Sequence, residues 1–198
     1  MMYSVKDKNG KDLDKSLYKI DFEKKTFSSR EHYLVIDFSG LDGWFFDTLS
    51  NCEFETGNNC EFETGNNCEF KTDNHCSFDT YHCCKFKTGN NCKFVTLAGC
   101  KFLTGNNCSF DTRNYCKFKT GNNCSFDTSY FCIFETGNNC ELKCYSKKYK
   151  LSKGFSFVND EYKLHTDIDE NWALLNTKHD DEYIRDVCKF ILKGYNDV

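Results

Sequence analysis

From residue 52 to residue 144 the chain repeats one pattern of apolar and polar positions. A cysteine is followed by a polar residue, an aromatic, a second polar residue and a threonine, and Gly-Asn-Asn closes the unit. Twelve cysteines keep the eight-residue spacing: Cys52, Cys60, Cys68, Cys76, Cys84, Cys92, Cys100, Cys108, Cys116, Cys124, Cys132 and Cys140. Phe54 through Phe134 stand two residues further on, with Leu142 last. Thr56 through Thr136 follow two later, with Cys144 in that place at the end. Residues two apart in an extended chain share a face, so Cys, Phe and Thr point one way and the intervening Glu, Lys, Ser and Asp the other. Gly and Asn tolerate the left-handed backbone of a tight corner. Each octad is therefore one short strand and one turn. A strand with a single apolar face is not stable alone, and stacking the octads into a parallel β-helix buries that face.

The irregularities predict how many octads make a coil. Ser77-Phe78-Asp79-Thr80, Ser109-Phe110-Asp111-Thr112 and Ser125-Phe126-Asp127-Thr128 fall on one sixteen-residue register. Lys85-Phe86-Lys87-Thr88, Lys101-Phe102-Leu103-Thr104 and Lys117-Phe118-Lys119-Thr120 fall on the other. Two octads per coil and a flattened, two-sided solenoid follow, with like charges stacked on each face. The register continues backwards through 44–51, with Trp44 in the cysteine place, and through a worn octad with Ile36 in that place. Residues 36–147 then hold fourteen octads, or seven coils. At roughly 4.8 Å per coil the body is about 34 Å long. The two strands of a coil run in opposite directions, so each cysteine is expected to face a phenylalanine across the core, small against large. The absence of proline suits a body in which nearly every backbone N–H donates to the next coil.

The flanks break the register. Residues 1–35 read as an N-terminal cap, with a turn at Asn9-Gly10 and a strand over 33–36 leading into the first coil. Residues 148–198 read as a C-terminal cap containing a β-hairpin over 155–164, turning at Asn159-Asp160. Ile184, Val187, Cys188, Ile191, Leu192 and Tyr195 form one helical stripe. Asp180, Asp181 and Glu182 suit its start, and Gly194 its end. This helix is expected either to close the last coil or to dock a partner. The predicted fold is an all-β, two-sided parallel β-helix with small β flanks and one C-terminal α-helix.

At 198 residues this is one or two domains, and a net charge of −4 does not call for nucleic acid. Along the chain, residues 36–69 carry eight acidic and no basic side chains, whereas 71–119 carry eight basic and three acidic ones. With no apolar run at the start and no membrane span, a reducing cytoplasm is expected, or, for a viral protein, the host cytoplasm or the virion. There the fifteen cysteines would be reduced thiols that pack as small hydrophobes, neither disulfides nor metal ligands. His179 with Asp180 and Asp181, and His165 with Asp167 and Asp169, lack the spacing of a zinc site and read as caps or solvated groups. The turns carry Asn where a calcium-binding β-roll needs Asp, and the outward rows are charged, which argues against ice binding. No catalytic residue, metal or cofactor is expected.

The turns that depart from Gly-Asn-Asn all fall on one edge: Tyr81-His82, Leu97-Ala98, Arg113-Asn114-Tyr115 and Ser129-Tyr130-Phe131. Val95, Leu103 and Ile133 replace charges at outward positions. Leu97, Leu103, Tyr115, Tyr130 and Phe131 are thus candidate contact residues, as are Ile184, Val187 and Ile191 of the helix. The run Cys-Lys-Phe-Lys-Thr-Gly-Asn-Asn at 84–91 and 116–123 resembles the octapeptide-repeat proteins of giant DNA viruses and some phages. The resemblance covers residues 44–144 and neither flank. It implies a parallel β-helical body and a viral source, and it lends no active site. The expected function is that of a non-enzymatic scaffold that forms a homodimer or docks another protein. The alternatives are a glycan-binding virion or tail component, or a nucleic-acid mimic of the pentapeptide-repeat kind.

Overall fold

Each octad forms a strand of three to five residues, such as Glu61–Glu63, Lys85–Lys87 or Cys140–Cys144. Up to Ser125–Thr128 each octad strand pairs in parallel with the strand sixteen residues on, so that Phe86 lies on Phe102 and Phe94 on Phe110. In the computed structural model, which describes residues 3–159 and 161–193, this pairing builds two ten-stranded sheets and about seven coils. The octads starting at Cys52, Cys68, Cys84, Cys100, Cys116 and Cys132 lie in the first sheet, and those starting at Cys60 through Cys140 in the second.

The core differs from the expected facing of cysteine on phenylalanine. Phenylalanines sixteen apart stack with centroids 4.8–5.0 Å apart and planes within 8° (Phe94 on Phe110, Phe46 on Phe62). Phenylalanines eight apart meet edge to face across the core, Phe86 and Phe94 at 5.1 Å and 74°. Symmetry explains the difference. Phe is the middle of the three inward positions, so reversing the strand direction leaves it in place and exchanges Cys with Thr. Each thiol accordingly lies beside the threonine of the preceding octad, Cys52 beside Thr48 and Cys60 beside Thr56. Two stacked aromatic columns fill the centre, and mixed cysteine and threonine columns line both edges. These small residues leave room for the corners, whose carbonyls accept from the thiols, as in Cys76 Sγ to Gly57 O at 3.5 Å.

The corners use Gly-Asn-Asn differently from the expectation. The left-handed residue is the last asparagine, as at Asn59 (φ 57°) and Asn107 (φ 58°). The first asparagine points along the axis, and its side-chain oxygen accepts the backbone N–H of its counterpart one coil later. Asn106 N to Asn90 Oδ1 and Asn122 N to Asn106 Oδ1 are both 2.7 Å. Gly105 is needed for space, since a Cβ there would collide with Asn90 Oδ1.

The parallel stack begins earlier than the octad count indicates, because Thr26–Ser29 pairs in parallel with Phe45–Asp47 and sets Phe27 on Phe46. Trp44 occupies the cysteine place, but Ile36 does not. Ile36 pairs with Phe54, so Leu34 takes the cysteine place. The loop between Phe38 and Trp44, with Gly40 and Gly43 at positive φ, holds two residues more than an ordinary turn.

Antiparallel strands close both ends. Ser4–Lys6 lies on Val35–Phe38, with the expected turn at Gly10 after it (Gly10 N to Asp7 O, 3.0 Å), and Tyr18–Asp21 lies on Thr26–Ser29. At the other end Lys147–Leu151 lies on Cys140–Cys144 and Gly154–Val158 on Cys132–Thr136. Lys147, Lys148 and Lys150 charge one edge strand, which discourages strand addition there. The second strand of the hairpin is Leu164–Ile168, later than expected, because Asn159 Oδ1 caps a wider turn by accepting from Glu161 N and Lys163 N. Asp160 of that turn lies outside the described residues. Two helices follow instead of one, α1 (Glu170–Asn176), capped by Asp169, and α2 (Glu182–Lys193). Val187, Cys188, Phe190 and Ile191 of α2 pack on Ile133, Phe157 and Ile168. Ile133 and Phe157 point outward from the first sheet, so α2 clasps the flank of the last coils. Gly194 and Tyr195 lie outside the described residues.

Candidate interaction edge

The residue before each periodic cysteine is the left-handed corner, and the two edges fill it differently. The edge leading into the second sheet carries Asn59, His75, Asn91, Asn107, Asn123 and Asn139. The edge leading into the first sheet carries Tyr33, Asn51, Asn67, Cys83, Gly99, Tyr115 and Phe131. A left-handed conformation costs a side chain with a bulky Cβ roughly 1–2 kcal/mol, and asparagine and glycine less. Tyr115 (φ 60°) and Phe131 (φ 55°) bear that cost one coil apart.

They belong to a run of rings along that edge. Tyr115 stacks on Phe131 at 5.1 Å, and Phe131 meets Tyr183 of α2 at 4.7 Å. Tyr130 touches both Phe131 and Tyr162, and Tyr162 meets Tyr145 at 4.4 Å. Tyr115 is 52% exposed and Tyr145 63%, whereas Tyr130 and Phe131 are half-buried. The Tyr183 hydroxyl, directed at Cys132 O (3.1 Å) and Val158 O (3.2 Å), ties α2 to the solenoid, and burial pushes its pKa well up.

The candidate contact residues separate into two groups. Leu97, Leu103, Tyr115, Tyr130 and Phe131 lie on the solenoid with part or most of their surface free. Val187 and Ile191 are buried within the chain and Ile184 partly so, because the flank of the solenoid already covers the helical stripe. That stripe is therefore covered within the chain. Sequence reading passed over Tyr145, Tyr162, Tyr183, Gly99 and Cys83. The column of residues preceding each cysteine would have found Gly99 and Cys83. Tyr145, Tyr162 and Tyr183 reach the edge only through the packing of the C-terminal cap.

Charge divides by face as well as along the chain. On the first sheet Lys85, Lys101 and Lys117 stack in one outward column. Lys85 pairs with Glu69 at 2.7 Å and Lys119 with Glu135 at 3.1 Å. Burial, then neighbouring Lys85, lowers the pKa of Lys101, and burial lowers that of Lys117. The second sheet shows an acidic column of Asp47, Glu63, Asp79, Asp111 and Asp127, interrupted by Val95.

All fifteen cysteines are free thiols, and Cys83 is the one exposed. Contact with the Cys116 thiol and burial push Cys100 up to about 12. The Cys68 thiol and burial raise Cys52, the Cys76 thiol and burial raise Cys60, and burial raises Cys116. The histidines flagged in the sequence have structural surroundings. His165 stacks on Phe157 at 4.5 Å, and His179 Nδ1 accepts from Asp181 N at 3.0 Å ahead of α2. Among the described residues no three His, Cys, Asp or Glu side chains are grouped to hold a metal ion, and no helix is long and apolar enough to cross a membrane. No family model, curated protein or solved structure matches this chain.

Proposed function

We propose that this protein is a non-catalytic interaction scaffold, a rigid two-sided β-solenoid that presents its aromatic edge to a second copy of itself. The observation that carries this reading is the pair Tyr115 and Phe131, aromatic rings in successive left-handed corners where the repeat mostly uses asparagine. Strained backbone under exposed aromatics is a feature to be explained by what the rings contact. With α2 committed to its own flank, a self-complementary contact would run along Tyr115, Tyr130 and Tyr145, with Leu97 at its margin. Nucleic-acid mimicry is the weaker reading, because Val95 breaks the acidic column and Lys143 follows it. A cytoplasmic or virion setting for the scaffold accords with its buried, reduced cysteine columns.

Size exclusion coupled to light scattering tests the proposal. The wild type is expected as a dimer, and Tyr115→Asn with Tyr145→Asn as a folded monomer. Both changes put the repeat's own corner residue at a left-handed position, so the core is untouched. A wild type that remains monomeric at high concentration would refute self-association, and a double variant that remains dimeric would refute the edge.

A further inference from the structure

We infer that a cleft between the aromatic edge and α2 is a binding site for a single ring carrying an anionic group, a phosphate or a carboxylate. The cleft measures about 240 Å³ and is bounded by Gly99, Lys101, Tyr115, Lys117, Phe131 and Asp186. Its construction follows from the coil. Corner residues 83, 99, 115 and 131 lie one above another, linked by Cys83 N to Ala98 O, Gly99 N to Asn114 O and Tyr115 N to Tyr130 O. Phe131 covers one face of Tyr115, and at the next rung Gly99 has no side chain. The cleft therefore runs beside Tyr115 from Gly99 towards α2, and the Cys83 thiol borders its Gly99 end, 3.3 Å from where a Cβ on Gly99 would stand.

Two residues after each corner an outward side chain rises beside the opening, Lys101 next to Gly99 and Lys117 next to Tyr115. Neither lysine has a carboxylate within ion-pair distance among the described residues, although Lys71, Lys85 and Lys119 on the same face do. Burial holds down the pKa of both, so each gains from an anion. Asp186 of α2 stands on the far rim, paired with Lys189 at 3.0 Å and partly offsetting the burial of Lys117, and its other oxygen can accept a hydrogen bond from a ring substituent. A space this small, below the roughly 300 Å³ at which ligand pockets usually begin, admits one ring and its charge. The ring stacks on Tyr115, and the anionic group sits between the two ammonium groups.

The cleft does not depend on dimerisation. Gly99→Asn separates the two, because it fills the opening with the repeat's own corner residue and leaves Tyr115 and Tyr145 in place. Cys83 supplies the readout, being the one exposed thiol and lying next to Gly99 at the end of the cleft. The rate of its labelling by a thiol reagent would be measured with phenyl phosphate, glucuronate, inorganic phosphate and phenol, and affinities by calorimetry. Phenyl phosphate or glucuronate is expected to slow labelling, and which of them does so tells an aromatic phosphate from an acidic sugar. Losing the stack or one charge contact should weaken binding by about tenfold. Lys101→Gln with Lys117→Gln should thus weaken binding by about a hundredfold, and Gly99→Asn, whose side chain borders the Cys83 thiol, should weaken it about tenfold by calorimetry, while circular dichroism and oligomeric state stay as in the wild type. No protection by either ring anion at millimolar concentration overturns the inference. So does protection by inorganic phosphate alone equal to that by phenyl phosphate, or a calorimetric affinity in Gly99→Asn equal to that of the wild type.

Discussion

The edge-to-face contact between the two aromatic columns can be measured at one pair. Phe94 is fully buried, stacks on Phe78 and Phe110 at 4.9 and 4.8 Å, and meets Phe86 and Phe102 edge to face at 5.1 and 5.2 Å. Replacing it with leucine keeps most of the apolar burial, since Leu142 fills the same place in the final octad. What is lost is the geometry of four ring pairs, each worth about 0.5–1.5 kcal/mol beyond area. Leucine compensates in part through its own contacts, so a net loss of about 2 kcal/mol is expected, against about 3–5 kcal/mol for Phe94→Ala, which also leaves a cavity. The facing itself is read from a double-mutant cycle. Phe94→Leu with Phe102→Leu should show a coupling of about 0.5–1.5 kcal/mol in equilibrium urea unfolding. Cys92→Ala with Phe102→Leu should be additive within about 0.5 kcal/mol, because the thiol lies in the edge column beside Thr88. Coupling between Cys92 and Phe102 but none between Phe94 and Phe102 would show that cysteine and not phenylalanine faces phenylalanine.

Three further outcomes follow from the same structure. Under native conditions a thiol reagent should label Cys83 and few others, and denaturation should release nearly all fifteen thiols; rapid native labelling of ten or more would defeat the buried-column description. Stability should fall as pH rises above about 9. The folded pKa values of Cys60, Cys100 and Cys116 are raised, so the unfolded chain loses those protons first, at about 1.4 kcal/mol per pH unit for each thiol. A urea midpoint unchanged from pH 7 to pH 10 would contradict this. Gly105→Ala should cost about 1–3 kcal/mol by displacing Asn90 from Asn106 N, and a neutral effect on the urea midpoint would mean that the asparagine ladder is not needed.

The chain by itself determined whatever depends on period and parity. The spacing of cysteine, phenylalanine and threonine set the inward face, the alternation of Ser-Phe-Asp with Lys-Phe-Lys set two octads per coil, and the stripe from Ile184 to Leu192 set the helix. These are local properties, carried by residues two, eight or three to four apart. Tertiary structure decided what faces what. Phenylalanine meets phenylalanine because reversing a strand about its middle residue exchanges the outer two, which no single octad reveals. Ile36 fell out of the cysteine place because the loop before Trp44 holds two more residues, and only the pairing of Ile36 with Phe54 exposes the slip. The stripe of α2 turned inward because Ile133 and Phe157 supply an apolar patch outside the first sheet, formed when the hairpin after the last coil folds back on Cys132–Thr136. The cleft at Gly99 lay hidden for the same reason. Its walls come from three successive corners and from a helix more than fifty residues further along, brought together by coiling and by the return of the C-terminal cap to the flank.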